Sequence, residues 1–486
     1  MSVTSFSSAP GRGQHPSLAW IAPSALGVLA AFFALIHSRL LQAGIVALVL
    51  IALLAYWTLL RPHRWIMVFI AAAILLPPLP LKFGDSGPHP ALLFAAIGVL
   101  AGILAMPEWK HLSSSLSLLL ILFASFLVAS SLLAAIYSGF SVGMGSLIRA
   151  ILFAIGPYLF LYSLHVPGSP ASLPAVRLLF RFATIAALFA CFDFHYQWPA
   201  PAGYEPQFIW LGELVLRRAQ GLFYEASTLG NFCAFFLVMI LSALAEWRHF
   251  RFVGFFELLF AAAAFSLALV FSYSRASLMN VLAAGCLMFF IRGARLRPVL
   301  VGVFSLLLSA VVIYTLVSDF GQSYWLRVQY SILHLSDAPA QVFSGRISSW
   351  TALIHFIAQH PWHLLFGIGY KTLPYSEFAG QGIVADNTYL QLLVETGTFG
   401  LLLFLVLNGL ILRAALIALK SPRPEGRFFG KWMTCFWAGE LVQMGSGDLI
   451  TYWRVLPIYF FVLACAIRES DSAFRLHAPA PHSICS

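Results

Sequence analysis

Four short polar islands in an otherwise apolar chain hold the residues able to do chemistry. In "LRRAQGLFYEAST", Arg217 and Arg218 precede Gly221 and Glu225. In "LVFSYSRASLMN" (269–280), Arg275 sits among Ser272, Ser274 and Ser277 with no acidic residue beside it in sequence. Arg346 opens "RISSW", and Asp386 and Asn387 stand together in "VADNTYLQLL". Guanidinium forks grip phosphate oxygens through pairs of charge-assisted hydrogen bonds. Hydroxyls and the exposed N–H groups of a helix start add donors for the same anion. A carboxylate nearby can take the proton of an attacking hydroxyl. Each island also has a plain structural reading. Arg275 can snorkel to a lipid interface, and Arg217 and Arg218 can be an interfacial basic pair. Glu225 can favour the positive end of a helix, and Asp386 and Asn387 can serve as helix caps.

The elements that position these islands follow from composition. The 486 residues are 60% hydrophobic and 9% charged, with a mean hydropathy of +0.88. That apolar excess belongs to a chain living mostly in lipid. Runs long enough for bilayer spans, roughly 20 residues each, fall near 20–37, 43–60, 65–80, 90–106, 115–137, 146–164, 176–193, 225–245, 252–271, 276–292, 298–317, 389–412, 430–446 and 452–467. The expected fold is all-α: a polytopic transmembrane helix bundle of about 12–14 spans, with a long external loop containing an amphipathic helix. Expected boundaries are a disordered cytoplasmic N-terminus (1–19), a transmembrane bundle (20–317), a long periplasmic loop (318–388), C-terminal transmembrane helices (389–467) and a cytoplasmic tail (468–486). The first apolar run lacks a clear cleavage site and reads as an uncleaved helix. None of the six cysteines forms a CxxC pair, which leaves no disulfide or metal framework.

The net charge of +10 is spread over short loops, which argues for membrane orientation and against nucleic acid. With the N-terminus inside, most of the 28 Lys and Arg fall on the cytoplasmic side, anchored by "RGARLR" at 292–297. The exceptions cluster in three outward segments holding Arg217 and Arg218, Arg275, and Arg346, and exceptions are where function is expected. The stretch after Arg346 repeats apolar residues at helical spacing (Ile347, Trp350, Leu353, Ile354, Ile357), as an interfacial helix does.

In this order the segments resemble the O-antigen ligase and polymerase superfamily. The likeness lies in "RRAQGLF", "SYSRAS", "RISSW", "HPWHLLFGIGY" and "DNTYLQLLVETGTFG", and covers about residues 200 to 415. It implies transfer or polymerisation of glycan repeat units from a polyprenyl-diphosphate-linked oligosaccharide donor to a glycan or lipid acceptor. The place implied is the periplasmic face of a bacterial inner membrane, with the chemistry metal-independent, inverting and free of any cofactor. On that reading Asp386, Glu225 and Arg275 are catalytic, with Asp386 the first choice of general base. Arg217, Arg218, Arg275, Arg346, Ser274 and Asn387 bind substrate, and no residue is assigned to a metal. Ligases of the family place His before the Asn; Asp386 in that position favours a polymerase-like or divergent branch and puts a His-based mechanism in doubt. "YEAST" also replaces the Pro-Asn pair common after the Gly-x-Phe turn. Ligation onto a lipid or protein acceptor is the alternative within the family. A lipid-linked-glycan flippase or other transporter is the alternative outside it, with Arg149, Glu257, Glu440 and Asp448 in or near spans read either as transport groups or as helix-helix polar pairing.

Overall fold

The computed structural model describes residues 39–79, 88–109, 114–200, 204–211, 214–291, 346–378 and 382–477, with isolated positions between 302 and 333. The expected N-terminal tail and first span, the basic turn at 292–297, nearly all of 298–345 and the end of the C-terminal tail lie outside the described residues. Two compact units divide the chain, 1–61 and 62–486. The first contains helix α1 (Arg39–Leu60). The second holds α2 (Trp65–Leu75), α3 (Ala91–Leu104), α4 (Ser115–Ser138), α5 (Phe140–His165) and α6 (Leu173–Tyr196). A hairpin follows, β1 (Phe208–Leu211) and β2 (Leu214–Arg217), antiparallel with Phe208 opposite Arg217. Then come α7 (Ala226–Ala245), α8 (Phe255–Phe271), α9 (Arg275–Phe290), α10 (Arg346–Gln359), the single turn α11 (His363–Phe366), α12 (Thr388–Leu419), α13 (Pro424–Gln443) and α14 (Leu456–His477).

Among the described residues α4, α5, α6, α7 and α12 are long and apolar enough to cross a bilayer, and shorter apolar helices accompany them. The protein is a multi-pass membrane protein. Its outer surface carries large exposed apolar side chains, such as Phe256 at 83% and Ile136 at 72% exposure, as a lipid-facing surface does. The core centres on α7, where Phe235 packs against Trp432 and Phe436 of α13 and Tyr459 of α14 with ring centroids 4.3–4.7 Å apart.

The two ends of the bundle differ chemically. One end gathers Arg177, which donates to Phe252 O at 2.7 Å, the Arg181–Glu257 pair at 3.0 Å and the buried Lys431–Glu246 pair at 2.8 Å. The other end gathers the starts of α7, α9 and α12, the hairpin and the end of α13. There Arg454 is buried and donates to the carbonyls of Ala73, Leu76 and Leu222, satisfying the carbonyls that the end of α2 leaves open. Helix α10 packs at this end too. Leu353 and Phe356 enter a cluster with Ile368, Leu373, Ala385 and Val394, whereas Ile354 points outward at 60% exposure.

The glycine motifs in 363–400 form a clasp. Helix α12 breaks at Gly397 (φ 71°, ψ −176°), which frees carbonyls of its first turns. The backbone N–H of Ile368 donates to Val394 O at 3.2 Å and that of Gly369 to Glu395 O at 2.8 Å. A Cβ on Gly367 would strike Glu395 O, and one on Gly397 would strike Leu365 O. Buried Glu395 completes the clasp by accepting Leu373 N at 3.2 Å. Gly397→Ala combines positive φ with this clash. It should lower stability by at least about 1–3 kcal/mol, read as a fall in Tm in detergent; an unchanged Tm would show that the clasp is not needed.

Candidate active site

A cavity of about 620 Å³ opens at the end of the bundle that carries the starts of α7, α9 and α12, and the polar islands converge on it. Arg218, Glu225, Ser274, Arg275, Arg346 and Asp386 all line it. The positive ends of three helices therefore meet around one space rimmed by three guanidinium groups.

The hairpin separates the adjacent arginines. Arg217, the last residue of β2, turns back to Asp193 at 3.6 Å and donates to Trp198 O at 2.7 Å. Asp193 also accepts Gly221 N at 3.1 Å, so Arg217 is engaged in holding the "QGLF" turn against α6. Arg218 points the other way into the cavity, its Nε donating to Ser272 O at 2.8 Å. Burial pulls its guanidinium below the ordinary value. Tyr452, Glu225 and Asp386 oppose that shift, while Arg346 adds to it.

The serine turn is equally built. Tyr273 adopts φ 51°, and Ser274 caps α9 by accepting Ser277 N at 3.4 Å. Gly230 of α7 lies against this turn: a Cβ there would come within 2.7 Å of Ser274 Cβ and 2.9 Å of the Ser272 and Ser277 hydroxyls. Arg275 is thereby fixed as the first residue of α9, on the cavity wall. Ser272 is engaged locally, donating to Leu269 O at 2.7 Å.

Asp386 and Asn387 divide two roles that their sequence leaves joined. Asn387 is the cap of α12, its Oδ1 accepting Tyr389 N at 3.0 Å and Leu390 N at 3.1 Å. Asp386, held at φ 43°, does not cap; its Oδ2 accepts from Arg346 Nε at 3.1 Å on the cavity wall. Trp350 of α10 donates to Ala385 O at 2.6 Å and fixes the approach. Glu225 occupies the cap position of α7, yet its side chain accepts the Thr228 hydroxyl at 2.5 Å and makes no capping bond to the backbone.

Burial pushes the Glu225 carboxyl above the ordinary carboxylate range; the Thr228 hydrogen bond and Arg218 oppose the shift, and Asp448 and Asp386 add to it. If ionised Glu225 is required, activity should fall with decreasing pH at a value above that range. The pH–rate profile of Glu225→Gln checks this: the acidic limb should vanish or move to lower pH, and an unmoved limb would place the ionisation elsewhere.

The wall also holds residues that sequence reasoning did not assign to the site. Gln443, the last residue of α13, and Asp448 and Tyr452 in the turn between α13 and α14 line the cavity. Asp448 pairs with buried Lys371, which ties the 369–373 turn to the wall. The available signal was the polar, glycine-rich "QMGSGD" at the same expected face. The intramembrane charges are paired: Arg149 lies 4.2 Å over the Tyr375 ring, Glu257 pairs with Arg181, and Glu440 accepts from Asn231 and Asn280.

One end of this multi-pass helical membrane protein thus carries a cavity lined by both cations and carboxylates. Residues 258–405 match the family model Wzy_C, O-Antigen ligase. That stretch therefore carries the domain of an O-antigen ligase and polymerase-type enzyme family. The matched stretch includes Arg275, Arg346, Asp386 and Asn387, whereas Arg217, Arg218 and Glu225 precede it and Gln443 and Asp448 follow it. No curated protein matches the chain.

Proposed function

We propose that this cavity polymerises glycan repeat units, taking them from a polyprenyl-diphosphate-linked oligosaccharide and adding them to a glycan acceptor. The observation that carries the reading is the meeting of Arg218, Arg275 and Arg346 with Asp386 and Glu225 around one cavity. The donor's diphosphate sits among the guanidinium groups and the helix starts, with the Ser274 hydroxyl beside them. The acceptor hydroxyl oxygen forms a bond to the anomeric carbon as the bond from that carbon to the diphosphate oxygen breaks. Asp386 takes the hydroxyl proton, and the lipid diphosphate leaves with its charge held by the arginines. A single direct displacement inverts the anomeric centre, and the cations supplied by the protein stand where a metal would otherwise neutralise the leaving group.

The Arg346–Asp386 pair fits this sequence of events. A bound diphosphate competes for Arg346 and releases Asp386 to act as base. Arg218 takes the clamp role, and Arg217 and Asn387 support the wall through Asp193 and the α12 cap. In this reading the site end of the bundle faces the periplasmic side of a bacterial inner membrane. Asp386 in place of the ligases' histidine supports repeat polymerisation over a single ligation to a lipid acceptor.

Purified protein in liposomes, given polyprenyl-diphosphate-linked oligosaccharide and EDTA, should form a ladder of products. One addition per acceptor would assign ligation instead. Complete loss of product on chelation would overturn the metal-independent step.

A further inference from the structure

The bundle beneath the cavity contains a ladder of polar side chains that the proposed chemistry does not use. Asn231 of α7, Asn280 of α9, and Glu440 and Gln443 of α13 are at most 2% exposed. Polar groups so deep in a membrane bundle are costly unless they satisfy one another. Here the Asn231 Nδ2 donates to Glu440 Oε2 at 2.6 Å and to Gln443 Oε1 at 3.0 Å. Asn280 Nδ2 repeats the pattern, at 2.8 Å to Glu440 and 3.0 Å to Gln443. Tyr459 of α14 donates to Asn231 Oδ1 at 2.5 Å, which fixes the Asn231 amide the same way round.

These bonds have a direction. Two amide NH2 groups point at Gln443 Oε1, so the Gln443 amide cannot turn over without setting NH2 against NH2. Its Nε2 must then face Ser277, and it donates to Ser277 Oγ at 3.1 Å. Ser277 Oγ lies 2.8 Å from Ser274 Oγ. Either hydroxyl can be the donor of that bond; with Ser277 as donor, its hydrogen goes to Ser274. Ser274 Oγ also accepts Ser277 N at 3.4 Å, which fills its second lone pair. In that arrangement the Ser274 hydrogen is what remains to be placed, and Ser274 lines the cavity beside Arg275. Close packing keeps the alignment: a Cβ on Gly439 of α13 would collide with Asn280, and one on Gly230 would collide with the serine turn.

We infer that Gln443 and Ser277 are positioning residues that aim the Ser274 hydroxyl into the cavity as a donor to the substrate's diphosphate. The inference rests on the lipid-diphosphate reading of the cavity. Helix association alone needs only mutual satisfaction of the polar groups; it does not need a chain of donors that ends on a cavity hydroxyl.

A double-mutant cycle tests it, with binding of polyprenyl diphosphate in detergent as the readout and Tm measured in parallel. Ser274→Ala should weaken binding about tenfold, as loss of a hydrogen bond to a charged group does. Ser277→Ala should weaken it roughly three- to tenfold, and the double variant should bind no worse than Ser274→Ala alone. Losses that multiply in the double variant, or wild-type binding by Ser277→Ala, would overturn the positioning role while leaving the cavity's assignment intact. Failure of the wild-type protein to bind the probe would overturn that assignment and the inference with it.

Discussion

Asp386→Asn should lower kcat by about 10²–10⁴ while leaving Tm close to wild type. The structure makes this substitution clean. Asparagine tolerates the left-handed backbone that Asp386 adopts at φ 43°. The cap of α12 belongs to Asn387 and is untouched. The asparagine Oδ1 still accepts from Arg346 Nε, so the wall keeps its contact. What disappears is the ability to take a proton. Steady-state kinetics on the reconstituted protein give kcat, and a thermal melt gives the control. Unchanged kcat would remove Asp386 from catalysis and leave Glu225, the other lining carboxylate on a helix start, as the base.

Arg275→Lys should reduce turnover by about 10²–10³, the range seen when one preorganised contact to developing charge is lost. Lysine keeps the positive charge but offers a point ammonium in place of a planar fork. The adjoining cap bond from Ser277 N to Ser274 is independent of the replacement. The informative control is Arg217→Lys. Arg217 is tied to Asp193 and Trp198 O, so the same exchange there should act on Tm more than on turnover. Comparable kinetic losses at both positions would contradict the separation of the two arginines. Wild-type turnover in Arg275→Lys would return that residue to interfacial snorkelling.

Much of the bundle was legible in the sequence because lipid imposes a simple code. Apolar length marks a helix, as at Ala226–Ala245. The polar islands were legible for the complementary reason: Arg275 between two apolar runs has no reason of composition to be there. Which neighbour does what was not legible. Arg217 and Arg218 differ by the side of a strand end, and Asp386 and Asn387 by one left-handed residue before the α12 cap. Such choices depend on long-range partners, Asp193 for Arg217 and Arg346 for Asp386. The glycine motifs also read ambiguously, because a clasp between 365–369 and 394–397 exists only once α12 has broken. Gln443 and Asp448 escaped because their link to the cavity runs through space, with no periodic pattern to announce it.

The central claim is that Arg218, Arg275 and Arg346 hold the diphosphate of a lipid-linked donor beside Asp386. A structure of the protein with a non-hydrolysable polyprenyl-diphosphate sugar tests it most directly. The expected result is a diphosphate within hydrogen-bond distance of those three guanidinium groups, with the anomeric carbon facing Asp386. A diphosphate bound elsewhere on the bundle, with this cavity unchanged, would contradict the claim.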